Sequence, residues 1–141
     1  MSCEENEELV LKDLCARLPY DVKIYAKCFD LDTNTEVEKV GVLSMIDTDT
    51  VIAFTTDNTG CYIYVTIHEI KPYLFPLSSM TKEQEKEFNQ LLELELKAIS
   101  DEIDHPQITA FEIDFYNKHH FDWRGLISIG LALDATDKNI Y

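Results

Sequence analysis

The sequence predicts a single α+β domain over residues 1–141, in which an antiparallel four-stranded sheet or small open barrel lies between an N-terminal helix and C-terminal helices. Three observations predict this class. The chain has 141 residues, the usual length of one domain. Apolar residues recur with helical spacing near both ends and with a period of two between them. Short turn signals join the alternating segments, which favours an antiparallel meander.

The first helix is predicted over residues 7–18, because Val10 and Leu14 lie on one helical face. Pro19 ends it, since the residue before a proline avoids the α region. Polar segments at both ends are expected to be loosely ordered: residues 1–8 and 134–141.

Four strands are predicted from alternating apolar and polar side chains, separated by Asp-, Asn- and Thr-rich turns. They span residues 22–29, 37–46, 51–55 and 61–70. The last two strands are apolar on both faces, which predicts a sheet that closes into a barrel or is covered by helices. Pro72 and Pro76 predict an extended connector at residues 71–76 rather than a strand.

The remainder of the chain is predicted to be helical. Thr81 begins a capping-box pattern before a helix over residues 82–100. The next helix is predicted to begin at Thr109. Asp122 is predicted to cap a short last helix over residues 123–129.

The composition restricts the classes of partner. Twelve basic and 27 acidic residues give a net charge of −15. This charge disfavours direct nucleic-acid binding and attachment to an anionic membrane, and it suits a soluble protein or a basic protein partner. The acidic first residues lack the basic and apolar regions of a secretion signal, and no apolar run approaches the roughly 20 residues that cross a bilayer. The predicted location is the cytoplasm.

The cysteines are predicted to be free thiols. No two of them are spaced as a Cys-x-x-Cys pair, and a free thiol in an apolar pattern behaves as a small hydrophobic side chain. They are Cys3, Cys15, Cys28 and Cys61.

Side chains that carry chemistry are densest between residues 117 and 125. His119, His120, Asp122 and Arg124 are predicted here as ligand- or partner-binding residues, with a packed helix corner as the alternative. Histidine binds metals and transfers protons near neutral pH. Adjacent histidines on a helix point about 100° apart, however, so the two are not expected to share a metal. We therefore predict neither a metal nor a cofactor.

The residues after Asp122 are predicted to differ in role. Trp123 is expected to be mainly structural, because burying its large ring contributes most to stability. Arg124 is the better functional candidate, since its planar guanidinium suits a carboxylate or a phosphate.

Two further patterns concern ligand binding. Asp30, Asp32 and Asn34 resemble the start of a calcium loop, but that loop needs a glycine where this chain has Thr35. A polar hairpin turn is therefore predicted. Three tyrosines would form a ligand-facing aromatic platform if they shared one sheet face, and core packing is the alternative. They are Tyr25, Tyr62 and Tyr64.

Two motifs carry a family resemblance. Residues 70–81 contain IKPY and SSMT, and residues 114–127 contain DFYNKHHFD and RGLI. The chain resembles a family of short hypothetical proteins widespread in gut-bacterial genomes and in the phages and mobile elements of those bacteria. This resemblance covers most of the chain except residues 30–60. It implies a phage-linked accessory protein and carries over no catalytic residue. Lys71 and Tyr73, in the first motif, join the candidate binding residues.

The predicted function is non-catalytic binding by a protein-interaction module that modulates or neutralises a host or phage factor. Sequestration of a small, nucleotide-type molecule is the alternative. An enzyme is the least favoured class, because the sequence has neither a nucleophile elbow nor a glycine-rich phosphate loop. An exposed apolar patch rimmed by acidic residues would favour the interaction module, and a basic pocket would favour the small-molecule binder.

Overall fold

A computed structural model describes residues 3–30, 33–47, 51–56, 62–98 and 105–141. It confirms an α+β fold with an N-terminal helix and an open, mostly antiparallel sheet. The elements are α1 Cys3–Arg17, β1 Lys23–Asp30, β2 Thr35–Ile46, β3 Val51–Thr55, β4 Tyr62–Thr66, β5 Ile70–Pro76, α2 Lys82–Ala98, α3 His105–Lys118, β6 Phe121–Asp122 and β7 Leu133–Asp134.

Within the described residues the sheet has seven strands, so the predicted four-stranded sheet is wrong. The strand order is β4-β3-β2-β1-β5-β6, with β7 also paired to β5. The ladders from β4 to β5 are antiparallel, and the two-residue strands β6 and β7 run parallel to β5. Because β4 and β6 lie at opposite ends of this order, the described strands form an open sheet.

The predicted connector at residues 71–76 is wrong, because this segment belongs to β5. Its prolines are tolerated at the ends of ladders. Pro72 lies opposite Ile24 at one end of the pairing with β1, and Pro76 is the last residue of the strand. A proline removes one backbone donor, and that loss matters least where the ladder stops.

The hydrophobic core lies on one face of the sheet. Val10 and Leu14 of α1 pack there, and so do Leu126 and Ala132 from the segment after β6. The strands contribute a row of fully or nearly fully buried side chains from alternate positions: Ile24, Ala26, Leu43, Ile52, Phe54, Val65 and Leu74. We call this side the inner face and the opposite side the outer sheet face.

The helices after β5 follow the sequence pattern only in part. The capping box of α2 is confirmed, because the Thr81 amide donates to Gln84 Oε1 at 2.9 Å and the Gln84 amide donates to Thr81 Oγ1 at 3.1 Å. α3 begins at His105 rather than at Thr109. The short helix predicted over residues 123–129 is absent, and turns occupy that segment.

Cys15 and Cys28 are free thiols, as predicted, whereas the side chains of Cys3 and Cys61 lie outside the described residues. Among the helices of the described ranges, none is both long enough and apolar enough to cross a membrane.

Gly41 on β2 leaves no room for a side chain. A Cβ atom built there would lie 2.4 Å from the Thr55 carbonyl oxygen and 2.6 Å from Phe54 Cδ2. We expect Gly41→Ala to lower the free energy of unfolding by about 2 kcal/mol or more, because the backbone of β3 would have to move. Urea denaturation measures this change. Ser44→Ala, at an exposed position of the same strand, is the control and should stay within about 0.5 kcal/mol.

Candidate functional site

A buried ion pair joins α1 to the segment that carries most of the predicted site residues. Arg17 Nε donates to Asp13 Oδ2 at 2.9 Å, and both side chains are completely buried. Arg17 Nη2 also donates to the carbonyl oxygen of Phe121 in β6. The guanidinium thus connects the end of α1 to a strand 104 residues away in sequence.

Arg124 approaches the same buried carboxylate from the other side. Its Nε lies 3.3 Å from Asp13 Oδ1, and its guanidinium carbon lies 4.1 Å from the centroid of the Trp123 ring. One carboxylate therefore sits between two guanidinium groups. Burial raises the pKa of Asp13 above its ordinary value, and the charges of Arg17 and Arg124 offset only part of that rise. Arg124, predicted to meet an external carboxylate or phosphate, contacts a carboxylate of its own chain.

Asp122 and Trp123 fix the turn that follows β6. The two carboxylate oxygens of Asp122 accept hydrogen bonds from the amides of Leu126 and Ile127, at 2.8 and 2.9 Å. Trp123 is half-buried, and its Nε1 donates to Asn117 Oδ1 at 2.9 Å. The amides that Asp122 binds lie four and five residues ahead, beyond the second and third helical residues that an N-cap reaches. The result is a turn in place of the predicted helix.

The two histidines have different neighbours. His119 Nε2 lies 3.7 Å from Glu87 Oε1, and its ring packs on Phe115 with centroids 4.5 Å apart. The ring of His120 stacks on Tyr141 with a centroid distance of 3.9 Å. Within the described ranges, no three His, Cys, Asp or Glu side chains converge as a possible metal site.

Burial lowers the pKa of His120 to about 4, helped by the nearby positive charge of Arg17. The imidazole is therefore neutral at physiological pH. Its backbone has a φ of 63°, in the left-handed region, and its carbonyl oxygen accepts the Phe75 amide at 2.8 Å. These contacts make His120 part of the packing between β5 and the end of α3.

Lys71 and Tyr73 lie away from this junction, on the outer sheet face. They line an open groove of about 510 Å³ together with Tyr25, Lys27, Glu38, His68, Glu69, Ile70 and Leu133. Tyr25 is directly opposite Lys71 in the β1–β5 ladder. A hydrogen bond to Glu38, together with burial, raises the pKa of Tyr25 to about 12. The six predicted site residues thus lie in two places, and Tyr141 connects them, because its hydroxyl donates to the Tyr73 carbonyl oxygen at 2.7 Å while its ring stacks on His120.

Sequence reasoning missed the exposed apolar surface of the outer sheet face. Five large side chains there are exposed, with Phe29 at 57% and Tyr64 at 60%; they are Phe29, Val40, Met45, Tyr62 and Tyr64. Paired residues share a face of the sheet, and so do residues two or four apart on one strand. Val40 is paired with Tyr25, which is four residues before Phe29. Ala53 is paired with both Met45 and Tyr64, and Tyr64 is two residues after Tyr62. The apolar pattern on both faces of the strands is the signal that the sequence offers, but by itself it predicts a covered or closed sheet.

The predicted tyrosine platform is distributed over this face. Tyr62 and Tyr64 lie on the edge strand β4, whereas Tyr25 lies on β1, three positions away in the strand order. All three side chains point to the outer side. Neither core packing nor a single three-tyrosine stack describes them.

Comparison of the chain with protein-family models, with curated proteins and with solved structures gives no match. The resemblance to phage-linked proteins of gut bacteria therefore stays a prediction.

The buried ion pair has an exposed counterpart on the same helix, which provides a matched experiment. Lys12 and Glu8 have the same i, i+4 spacing, but their nitrogen–oxygen distance is 3.5 Å and their side chains are 63% and 68% exposed. We expect Arg17→Ala to destabilise the fold by about 3–5 kcal/mol, because it leaves a buried carboxylate poorly compensated. Lys12→Ala should cost less than about 1 kcal/mol. Chemical denaturation of both variants measures the difference, and equal costs would contradict the assigned role.

The lowered pKa of His120 predicts acid sensitivity with a definite sign. Its folded pKa, about 4, is below its ordinary value of 6.5, so at intermediate pH the unfolded chain binds the extra proton more readily. The stability that neutral His120 contributes is complete above pH 6.5 and is lost as the pH falls from 6.5 towards 4. His120→Asn keeps a residue that tolerates positive φ and removes this titration.

Thermal melts at about pH 7 and about pH 5 measure this effect as a difference in Tm. We expect a smaller difference for His120→Asn than for the wild-type chain. Asp13 and every other titrating group are common to both proteins. An unchanged or larger difference in the variant would count against the neutral, buried imidazole.

Proposed function

We propose that this protein is a non-catalytic interaction module that docks a protein partner on its outer sheet face. The resemblance described above supplies the proposed context: a cytoplasmic accessory of a phage or mobile element that modulates or neutralises a host or phage factor. The single observation that carries the docking proposal is the exposed apolar surface of the sheet.

Four of these five side chains lie in one stretch of the sheet, and Phe29 lies farther along β1 on the same face, past Lys27. Exposed hydrophobic residues that occur singly are ordinary, whereas a contiguous apolar patch on a soluble protein marks an interaction site. Here the exposed side chains come from three strands of one sheet, β1, β2 and β4, and they range from Val40 at 44% exposure to Tyr64 at 60%. Aromatic side chains and methionine are enriched in interfaces, and both types are present.

The charge of the outer sheet face differs from that of the chain. The chain carries −15, but this face presents both signs on neighbouring strands, from Lys23, Lys27, Glu36, Glu38 and Lys71. A nearly neutral apolar surface suits an apolar partner surface. The exposed glutamates of α2 would instead suit the basic partner that composition predicts; those described are Glu83, Glu85 and Glu93.

The groove around Lys71 and Tyr73 favours a second candidate function, the binding of a small nucleotide-type molecule. Tyr25 and Tyr73 offer aromatic surfaces, and Lys27 and Lys71 offer cations, which together suit a planar anionic ligand. Glu38 and Glu69 line the same groove and oppose an anion. For this reason the docking of a protein is the preferred proposal.

Site-specific photo-crosslinking tests the docking proposal. A benzoylphenylalanine replaces Phe29 on the outer sheet face, and in a control protein it replaces Ile129, which is 46% exposed but lies outside the sheet. Both proteins are irradiated in lysate of the cells that naturally carry the gene. We expect an adduct of defined mass from position 29 and none from position 129. Val40→Lys, which puts a charge into the apolar surface, should lower the yield at least about 10-fold.

Three outcomes would contradict docking on the outer sheet face. Equal yields from both positions would indicate nonspecific contact. Absence of an adduct at position 29, or a yield unaffected by Val40→Lys, would overturn docking on this face. Circular dichroism of each variant first establishes that it remains folded.

A further inference from the structure

β4 forms an end of the sheet. Its one ladder partner among the described residues is β3, with which all five of its residues are paired, from Tyr62 opposite Thr55 to Thr66 opposite Val51. The other edge of β4 therefore presents backbone donors and acceptors that no described strand uses. Such an edge is a template for one further strand.

The sequence of this edge strand lacks the features that prevent an exposed edge from pairing with a strand of another molecule. β4 reads Tyr-Ile-Tyr-Val-Thr, with no charge and no proline. Soluble proteins usually protect an edge with a lysine, a proline, a bulge or an inward-pointing charge. The bulge in this sheet lies instead between Leu43 and Met45 of β2, in an interior ladder. An uncharged strand of β-branched and aromatic residues is suited to pairing.

We propose that β4 pairs with β4 of a second copy of this chain, antiparallel and about a two-fold axis through Tyr64. This register uses all five residues of both strands, because Tyr62 then faces Thr66 of the second copy and Ile63 faces its Val65. Shifting the axis by one residue along the strand would leave part of each strand unpaired. The two sheets become one continuous sheet, with both outer faces on the same side.

Side chains on both faces suit this pairing. On the outer side the two copies of Tyr64, each 60% exposed in the single chain, become direct cross-strand neighbours, and aromatic pairs are among the stabilising cross-strand pairs. On the inner side, Ile63 and Val65 extend the apolar layer, since both already belong to or pack against the core.

Charge also favours a second copy over a basic partner at this edge. β4 has no carboxylate that a basic strand could pair with, although the chain carries −15. Two copies repel each other through their net charge, and salt screens that repulsion. A dimer through an uncharged strand should therefore tighten as salt is added, whereas a contact made by opposite charges would weaken.

Sedimentation velocity of the purified chain tests the proposal. Five-residue edges bury less than the roughly 800 Å² per partner of a standard interface, so we expect reversible dimerisation between about 1 and 200 µM. The dimer should dissociate several-fold less at about 0.5 M NaCl than at about 0.05 M. A monomer over this whole range at both salt concentrations, or a dimer that weakens with salt, would overturn the proposal.

A charge-swap pair tests the two-fold register. Tyr64→Lys and Tyr64→Glu each bring like charges together across the axis, so each variant alone should be monomeric, with at least about a 10-fold loss of affinity. An equimolar mixture should form a heterodimer, because lysine then faces glutamate. Tyr64 is exposed in the single chain, and circular dichroism checks that each variant folds. A mixture that stays monomeric, while the wild-type chain dimerises, would place the interface elsewhere.

Val40→Lys separates this proposal from docking on the outer sheet face. Val40 lies on β2, two strands in from the edge, so this variant should dimerise like the wild-type chain. If Val40→Lys abolishes dimerisation and Tyr64→Lys does not, the copies meet face to face, and edge pairing is wrong. Tyr64 also belongs to the apolar surface of the outer sheet face, so Val40→Lys is the variant that separates the two contacts. Loss of the adduct from position 29 with an unchanged dimer in Val40→Lys shows them to be independent.

Discussion

The buried carboxylate of Asp13 is the point on which the two ends of the chain converge. It accepts Arg17 from its own helix and lies against Arg124 from the segment after β6. Arg17 in turn binds the carbonyl oxygen of Phe121. A buried charge needs nearby opposite charge and hydrogen bonds to be tolerated. Because these partners come from distant parts of the sequence, α1 and β6 must be in place together.

This arrangement determines which side of the sheet is covered. α1 and the turns held by Asp122 pack their apolar side chains on the inner face, where Leu14 and Leu126 are fully buried. The same ionic junction therefore leaves the outer sheet face without a covering helix among the described elements. The exposed aromatic side chains and the groove at Lys71 lie on that open face. β4 forms one edge of the sheet beside them.

Much of the fold could be predicted from local pattern. Three features depend only on residues that are close in sequence: the end of the first helix before Pro19, the alternation of the first strands and the capping box at Thr81. β5 could not be predicted, because its prolines are acceptable only where a ladder ends, and ladder ends are defined by other strands. The strands β6 and β7 have two residues each, which is too short to show the alternating apolar pattern that predicts a strand.

The candidate site divides in the same way. The sequence located a dense polar segment from His119 to Arg124, and the structure finds these side chains engaged with Asp13, Glu87, Tyr141 and backbone amides of their own chain. The apolar alternation in the strands was visible as well. Which face would remain uncovered was not, because coverage depends on where the helices pack.

Two pairs of residues on α1 show the boundary between sequence and tertiary structure. Glu8 with Lys12 and Asp13 with Arg17 are both an acid four residues before a base, so the sequence by itself determined only that both pairs have the same favourable helical spacing. Only the tertiary structure decided that one pair is exposed and the other completely buried. The physical reason is that Asp13 and Arg17 continue the stripe of Val10 and Leu14, and burial on that stripe comes from strands and turns distant in the chain.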